Sequence, residues 1–317
     1  MTWCTDSIND ILEQYEKDPN IKPLVRDITI NHILSDDKDE IVFPFLIHPV
    51  TGKLDLRAPN LSFNYTEEEK NNILEISDPT TIFKYVKLTN NNGSYSDWNP
   101  YPFQLDWITN YSKYKFNFFI TSRQIGSSNL EMLSVLHYIL INKDKTIFYI
   151  GPSNQNCTET AIKLYNLFNS LPFYMRVGVT KREINDIHFE NGCVIRFYSH
   201  DKLIPSSVNI NLLIIDDLSR MRPDILKDLF PQCERCLIST SPSKDKLTKV
   251  QYNTFGVGVF NIIKYNWECV PTRDENWVKN EILQIGGVLD FINEYSCDEA
   301  NDRLKAIVRD YKIESIL

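Results

Sequence analysis

Cysteine is sparse in this chain. Seven residues, at positions 4, 157, 193, 233, 236, 269 and 297 of 317, are too few for a disulfide framework and read as reduced thiols of an intracellular protein. Long hydrophobic runs are absent as well. None nears the roughly 18 residues needed to cross a bilayer, and the opening MTWCTDSINDILEQYEKD lacks a signal peptide's basic start and apolar stretch, so no membrane partner is expected. Positive charge is in deficit: 34 Lys+Arg against 42 Asp+Glu give a net charge of −8. That argues against a surface that coats nucleic acid indiscriminately, while leaving room for a local basic patch. The five histidines are scattered, no G-x-S-x-G elbow occurs, and Cys233 and Cys236 have no second pair to complete a zinc site. No period of 20–50 residues repeats, which excludes a solenoid.

What remains is an ordinary globular composition, 42% hydrophobic and 24% charged. Residues 1–62 read as a small α+β extension without a chemical motif. Ile8, Ile11, Leu12 and Tyr15 share a helical face, and Thr51-Gly52-Lys53 suits a turn between IVFPFLIHP and LDLRA. From residue 63 the texture changes. Thr66 and Glu69 form a capping box, and a second helix start is expected at Ser77-Asp78-Pro79. Apolar strands are expected at 116–122, 146–152, 212–216, 235–241 and 258–265, and helices at 128–141, 155–170 and 222–230. Asn191-Gly192 predicts a hairpin with a type I′ turn over 185–198. Near-continuous apolar strands alternating with helices indicate a three-layer α/β sandwich with a mostly parallel sheet.

Ligands of such sheets bind beyond the carboxyl ends of the strands, so the residues following each strand carry the argument. After FNFFI comes Thr121-Ser122-Arg123-Gln124-Ile125-Gly126-Ser127-Ser128-Asn129, then a helix. Exposed N–H groups and the helix dipole make such a loop a phosphate cradle. Against the Walker A pattern, Gly126 is the second glycine and Ser128 the magnesium hydroxyl, but Ser127 stands at the lysine position and Thr121 at the first glycine. Read alone, the loop is more readily an ordinary strand-to-helix turn than a cradle. LLIIDD brings Asp216 to a strand tip, suited to a magnesium contact, with Asp217 beside it to polarise a water. Paired aspartates also cap helices. Ser239, Thr240 and Ser241 end another buried strand in what is otherwise a plain polar turn.

Taken together and in order, these segments resemble the ATPase domain of the large terminase subunit of tailed bacteriophages. TSRQIGSSN resembles that family's deviant Walker A, S-R-Q-x-G-K-[ST]-[ST]. YPFQ resembles its Q motif, LLIIDD its Walker B and ISTSP its coupling motif. FENGCVIRFYS resembles the hairpin between the Walker motifs, and GGVLDFINEYSCDE the segment closing the domain. The likeness covers roughly residues 64 to 300. It implies a P-loop NTPase-like fold over 63–317 and a viral DNA-packaging motor working in the host-cell cytoplasm. ATP and Mg2+ are the implied cofactors. Gln104 would read adenine, and Ser122, Arg123, Gln124, Gly126, Ser127, Ser128 and Asn129 would surround the phosphates. Ser128 and Asp216 would hold Mg2+, Asp217 and Arg123 would act in hydrolysis, and Ser239, Thr240 and Ser241 would couple it to movement. Implied partners are double-stranded DNA, a portal protein, other copies in a ring, and a small terminase subunit or separate nuclease. Too few residues follow Tyr295 for the family's nuclease domain, so none is expected in this polypeptide.

Departures from the pattern bear on activity. Ser127 removes the positive charge that clamps phosphate, Asp217 is one methylene shorter than the family's Glu, and 200–209 lacks the usual arginine. The expectation is ATP binding with weakened hydrolysis. The rival is a catalytically inactive ATPase-fold scaffold for portal, capsid or an active motor subunit. A helicase-like remodeller is less favoured, because no second ATPase core is visible. Lys181-Arg182 and Lys244, Lys246 and Lys249 are the basic clusters expected near the ligand edge.

Overall fold

The computed structural model describes residues 45–47, 54–61, 63–90, 93–183, 185–202, 204–205, 208–222, 229–242, 259–297 and 302–314. The helix expected around 8–15, the turn at 51–53, Lys244, Lys246 and Lys249 lie outside them, as does most of the helix expected at 222–230. Before the main sheet come an antiparallel pair, β1 (Phe45–Ile47) and β2 (Leu54–Arg57), and helix α1 (Glu67–Glu75). The capping box forms as expected: Thr66 N–H donates to Glu69 Oε2 at 2.8 Å, and Glu69 N–H to Thr66 Oγ1 at 3.2 Å. The start at Asp78 yields only a 3-10 turn, Pro79–Lys84, followed by a small hairpin of β3 (Lys87–Thr89) and β4 (Tyr95–Asp97).

The body alternates strand and helix. In chain order it comprises α2 (Pro102–Lys113), β5 (Phe116–Thr121), α3 (Ser127–Ile141), β6 (Thr146–Gly151) and α4 (Asn154–Ser170). Strands β7 (Val179–Glu183), β8 (Asp186–Phe189), β9 (Val194–Ser199), β10 (Leu212–Ile215), β11 (Cys236–Thr240) and β12 (Asn261–Tyr265) follow. The strands form one eight-stranded sheet in the order β12-β5-β11-β10-β6-β9-β8-β7. The first six pair in parallel; β8 and β7 extend the sheet antiparallel. One strand, β11, therefore lies between β5, which leads into the 122–126 loop, and β10, which leads into Asp216.

Strand residues alternate between two buried faces, because successive side chains point to opposite sides. Phe119, Tyr149, Ile214 and Leu237 pack with α2, α3 and α4 on one face. Phe118, Phe148, Leu213 and Cys236 pack on the other, against Leu218, Met221, Leu229 and Phe260. A third cluster, Trp267, Val278, Ile282, Phe291, Tyr295, Leu304 and Ile307, joins α5 (Glu275–Ile285), α6 (Val288–Tyr295) and α7 (Asp302–Glu314) into a helical cap.

Two expectations are corrected. The β8–β9 hairpin exists, but its turn is not type I′, which needs a positive φ at both central residues. Only Gly192 has one, at +80°, and its N–H donates to Phe189 O at 3.0 Å. The connection thus turns over Glu190-Asn191 and reverses at the glycine. Lys181-Arg182 lies on β7, the outer edge strand, away from the tips of β5, β10 and β11, and Lys181 is paired with Glu183 and Asp186.

Candidate functional site

At the carboxyl ends of β5, β6, β10 and β11 lies a cavity of about 200 Å³. Ser122, Arg123, Gln124, Ser127 and Ser128 line one wall; Asp216, Asp217, Ser239, Thr240 and Ser241 line the opposite one. Ten of the thirteen residues singled out from the sequence thus meet across one hollow. Gly126, Asn129 and Gln104 are not among its lining residues.

The loop after β5 is shaped by two backbone reversals. Gln124 has φ +59° and Gly126 φ +87°, the left-handed region that side chains with a Cβ seldom adopt. Nothing lies within 4 Å of where a Cβ on Gly126 would sit, so its conformation, not space, calls for glycine there. The loop's start is tied down: Ser122 N–H donates to Tyr265 O at 2.8 Å and Arg123 N–H to Glu294 O at 2.9 Å. The next five N–H groups, Gln124 to Ser128, have no acceptor among the described residues. Five donors without acceptors around a left-handed reversal, at the positive end of a 15-residue helix, are features that favour an anion. Asn129 N–H is already spent on Gly126 O, 3.0 Å away.

Beneath the loop sits Arg273, which sequence reasoning missed. It is 8% exposed, and its Nη1 donates to Ser122 Oγ at 3.1 Å. Its Nη2 donates to the carbonyls of Arg123 at 2.9 Å and Gln124 at 3.1 Å. The guanidinium stacks over Trp277 at 4.5 Å and Tyr295 at 5.4 Å, so the cap fixes the arginine and the arginine fixes the loop. Above the loop, Arg123 Nη1 reaches Glu294 Oε2 at 3.4 Å.

Across the cavity, Asp216 is 6% exposed. Its Oδ2 accepts from Tyr149 Oη at 2.7 Å and Asn156 Nδ2 at 3.4 Å, while Ser239 Oγ reaches Oδ1 at 3.5 Å. Burial pushes its carboxyl above the usual range, and the Tyr149 hydrogen bond opposes that rise. Asp217 also adopts a left-handed backbone, φ +54°. It is ion-paired to Arg220, Oδ2 to Nε 2.9 Å, and accepts from the Ser219 hydroxyl. Ser219 Oγ in turn meets Ser241 Oγ at 3.1 Å, so the Asp217 turn and the end of β11 are joined. Backbone reversals in non-glycine residues on both sides of one hollow are the strain that functional sites concentrate.

Two further groups escaped the sequence reading. Arg220 lines the cavity. Glu131, one turn into α3, is fully buried, and neither carboxylate oxygen has a hydrogen-bond partner. Burial, and next the Asp216 charge, pushes Glu131 well above the ordinary range; the Ser239 hydroxyl beside it acts the other way without closing a hydrogen bond. The visible signal was an acid inside the apolar run LEMLSVL. Gln104 is buried at the start of α2, its Oε1 accepting from Tyr101 N–H at 3.0 Å and Trp98 Nε1 at 3.2 Å. Its neighbours Phe103 and Asp106 contact Tyr265, whose carbonyl anchors Ser122.

A larger cavity, of about 590 Å³, opens at the opposite pole beside Tyr111, His137 and Arg235. Arg235 there caps α2 through the carbonyls of Tyr111, Ser112 and Tyr114. It contains none of the strand-end groups described above.

No family model matches the chain, and no curated protein does. Solved structures do. The large terminase ATPase domain of Thermus phage P74-26 superposes with a TM-score of 0.53 at 14% identity, covering 63% of this chain and 94% of that one. The fold is that of a terminase ATPase domain. The large terminase of the thermophilic bacteriophage D6E gives a TM-score of 0.50 at 11% identity, over 62% of this chain and 53% of its own. That of bacteriophage HK97 gives 0.50 at 12%, over 74% and 52%. This chain thus spans about half the length of those two terminases. At such low identity the terminase likeness is one of fold, and function rests on the cavity.

Proposed function

We propose that this chain is a terminase-like ATPase subunit of a viral DNA-packaging motor, binding ATP with Mg2+ and hydrolysing it weakly. The single observation that carries the reading is that the 124–128 loop, whose five N–H groups have no acceptor among the described residues, meets Asp216 and Asp217 at one hollow through Gln124, Ser127 and Ser128. The donors suit the β- and γ-phosphates, and a cavity of about 200 Å³ suits a triphosphate tail rather than a whole nucleotide. In this reading Ser128 and Asp216 would hold Mg2+, whose charge would offset that of the phosphates. Arg123 exchanges Glu294 for phosphate, Asp217 orients water once Arg220 releases it, and the coupling residues Ser239, Thr240 and Ser241 report the change along β11. Adenine lies outside the hollow, where Gln104 offers its free Nε2. Double-stranded DNA, a portal and a ring of copies follow as partners from the packaging role.

Weak hydrolysis follows from electrostatics. Ser127 supplies no cation, and both guanidiniums lining the hollow are ion-paired, to Glu294 and Asp217. Loss of one group that stabilises developing charge costs on the order of 10² to 10³ in rate. The same pairs favour the second reading, an inactive scaffold. Calorimetry with ATP, with and without Mg2+, then turnover of wild type and Ser127→Lys in the presence of DNA, separates the two. The motor reading expects Mg2+-dependent binding and turnover that Ser127→Lys raises on the order of 10²-fold. Absence of binding sinks it in favour of the scaffold; ordinary motor turnover by the wild type sinks the weakened-hydrolysis claim.

A further inference from the structure

The second cavity, of about 590 Å³ at the pole away from the strand tips, gathers positive charge in a chain whose net charge is −8. Lys115, Lys145 and Arg235 line it against a single carboxylate, Glu234, which leaves an excess of two positive charges. Glu234 is matched by Lys145 at 3.6 Å. Lys115 has no ion pair among the described residues. Arg235 commits only its Nη2, to the carbonyls of Tyr111, Ser112 and Tyr114, and its guanidinium lies over the Tyr111 ring at 5.7 Å. Its Nη1 and Nε meet no acceptor among the described residues. Burial holds His137, which also lines the cavity, below the ordinary histidine range, so it adds no charge at neutral pH.

Hydrogen-bond donors are in excess too. Tyr111 and Tyr138 line the cavity at 3% and 6% exposure, and neither hydroxyl meets a partner among the described residues. Burial raises the pKa of both phenols, that of Tyr138 to about 12, so each keeps a proton to donate. A phenol largely withdrawn from water usually finds a hydrogen-bond partner, and one without is costly. Tyr111 comes from α2, Tyr138 from α3 and Arg235 from the residue before β11. Three core elements thus bring these donors to one hollow.

We propose that this cavity is a second binding site, taking a small phosphate monoester with a ring-bearing body. The excess of two positive charges matches a dianionic phosphate, and the Arg235 fork with two phenol donors suits several phosphate oxygens at once. A volume of about 590 Å³ is in the range of small-molecule sites and exceeds what a bare phosphate fills, leaving room beside Tyr138 and Ile141 for an organic body. Nucleic acid fits poorly, because phenols 3% and 6% exposed lie too deep for the backbone of a duplex. An occupant would touch the far ends of α3 and β11, whose other ends line the strand-tip cavity. The site requires no nucleotide at the strand tips.

The probe is phenyl phosphate, titrated by calorimetry into the full chain at low salt and slightly alkaline pH. One molecule per chain is expected to bind, more tightly than inorganic phosphate and more tightly than the monoanionic diester methyl phenyl phosphate. Saturating ATP with Mg2+ should leave that binding unchanged. Tyr111→Phe removes a hydroxyl that has no partner among the described residues, so stability should hold while phenyl phosphate weakens on the order of 10-fold. Lys115→Gln, at an exposed position, should weaken it about two- to fivefold. Wild-type affinity in both variants, or no binding by the wild type, overturns the inference. Equal affinity for inorganic phosphate or for the diester overturns the monoester assignment. Displacement by ATP moves the ligand to the strand tips and overturns the second site; displacement by a short DNA duplex overturns it in favour of a nucleic-acid surface. Failure of ATP to bind would strike the nucleotide reading and leave this site standing.

Discussion

At the scale of single residues, the loop after β5 is held by a side chain that does not line the cavity. Arg273 spends its guanidinium on one hydroxyl and two carbonyls of the loop while lying on two aromatic rings. Charged hydrogen bonds of this kind contribute about 1.5–3 kcal/mol each, and removing the donor leaves its acceptors unmet. Arg273→Met should therefore lower unfolding stability by about 3 kcal/mol and weaken ATP binding together, as urea titration and calorimetry would read. Arg273→Lys should not rescue it, because one ammonium cannot span the same three acceptors. Unchanged nucleotide affinity in both variants would show that the loop keeps its shape unaided.

At the scale of elements, α3 joins the loop after β5 to α1. His137, 1% exposed, meets Ile76 O through Nε2 at 3.0 Å, and Ile76 is the residue that ends α1. Burial pulls the imidazole's pKa down, with the carbonyl contact opposing it. The folded chain then binds fewer protons than the unfolded one just below the ordinary histidine value, so stability is lost as pH falls through about 6.5. The loss is at most about 1.4 kcal/mol per pH unit until the depressed value is reached. Urea midpoints across this window should slope for wild type and flatten in His137→Asn; parallel slopes would refute the assignment.

Elements were also where the sequence was most readable. β5, α3, β6, α4 and β10 lie within one residue of their expected bounds, because two buried faces impose continuous apolar runs and the loops between are sharply polar. β7 was unseen, since its exposed Lys181-Arg182 center hides a strand that pairs at the sheet's edge. The loop and strand-tip residues of the site were legible because strand ends gather ligands in any such sheet. Arg273 was not: its meaning lies in Arg123, 150 positions away, and no local pattern announces a contact of that span. Arg220 needed the hollow itself, which only the fold assembles, whereas the acid inside LEMLSVL announced Glu131 but not its neighbours.

At the scale of the molecule, the helical cap and the sheet act on the loop from opposite sides. Phe291 is fully buried amid the rings of Trp267, Trp277 and Tyr295 and lines no part of the cavity. Phe291→Ala should cost about 3–5 kcal/mol and lower ATP affinity through Glu294, whose carbonyl anchors Arg123 N–H. The milder Phe291→Leu separates the effects in a chain that stays folded. Full affinity in that variant, despite a measurable loss of stability, would mean the cap is packing alone.

The tie between Arg123 and Glu294 closes a span of 171 residues. During synthesis at about 5–20 residues per second, the ribosome makes the loop roughly ten to thirty seconds before its anchor exists. On a nascent chain the loop after β5 therefore waits for its anchor, and this corner of the molecule is among the last to set.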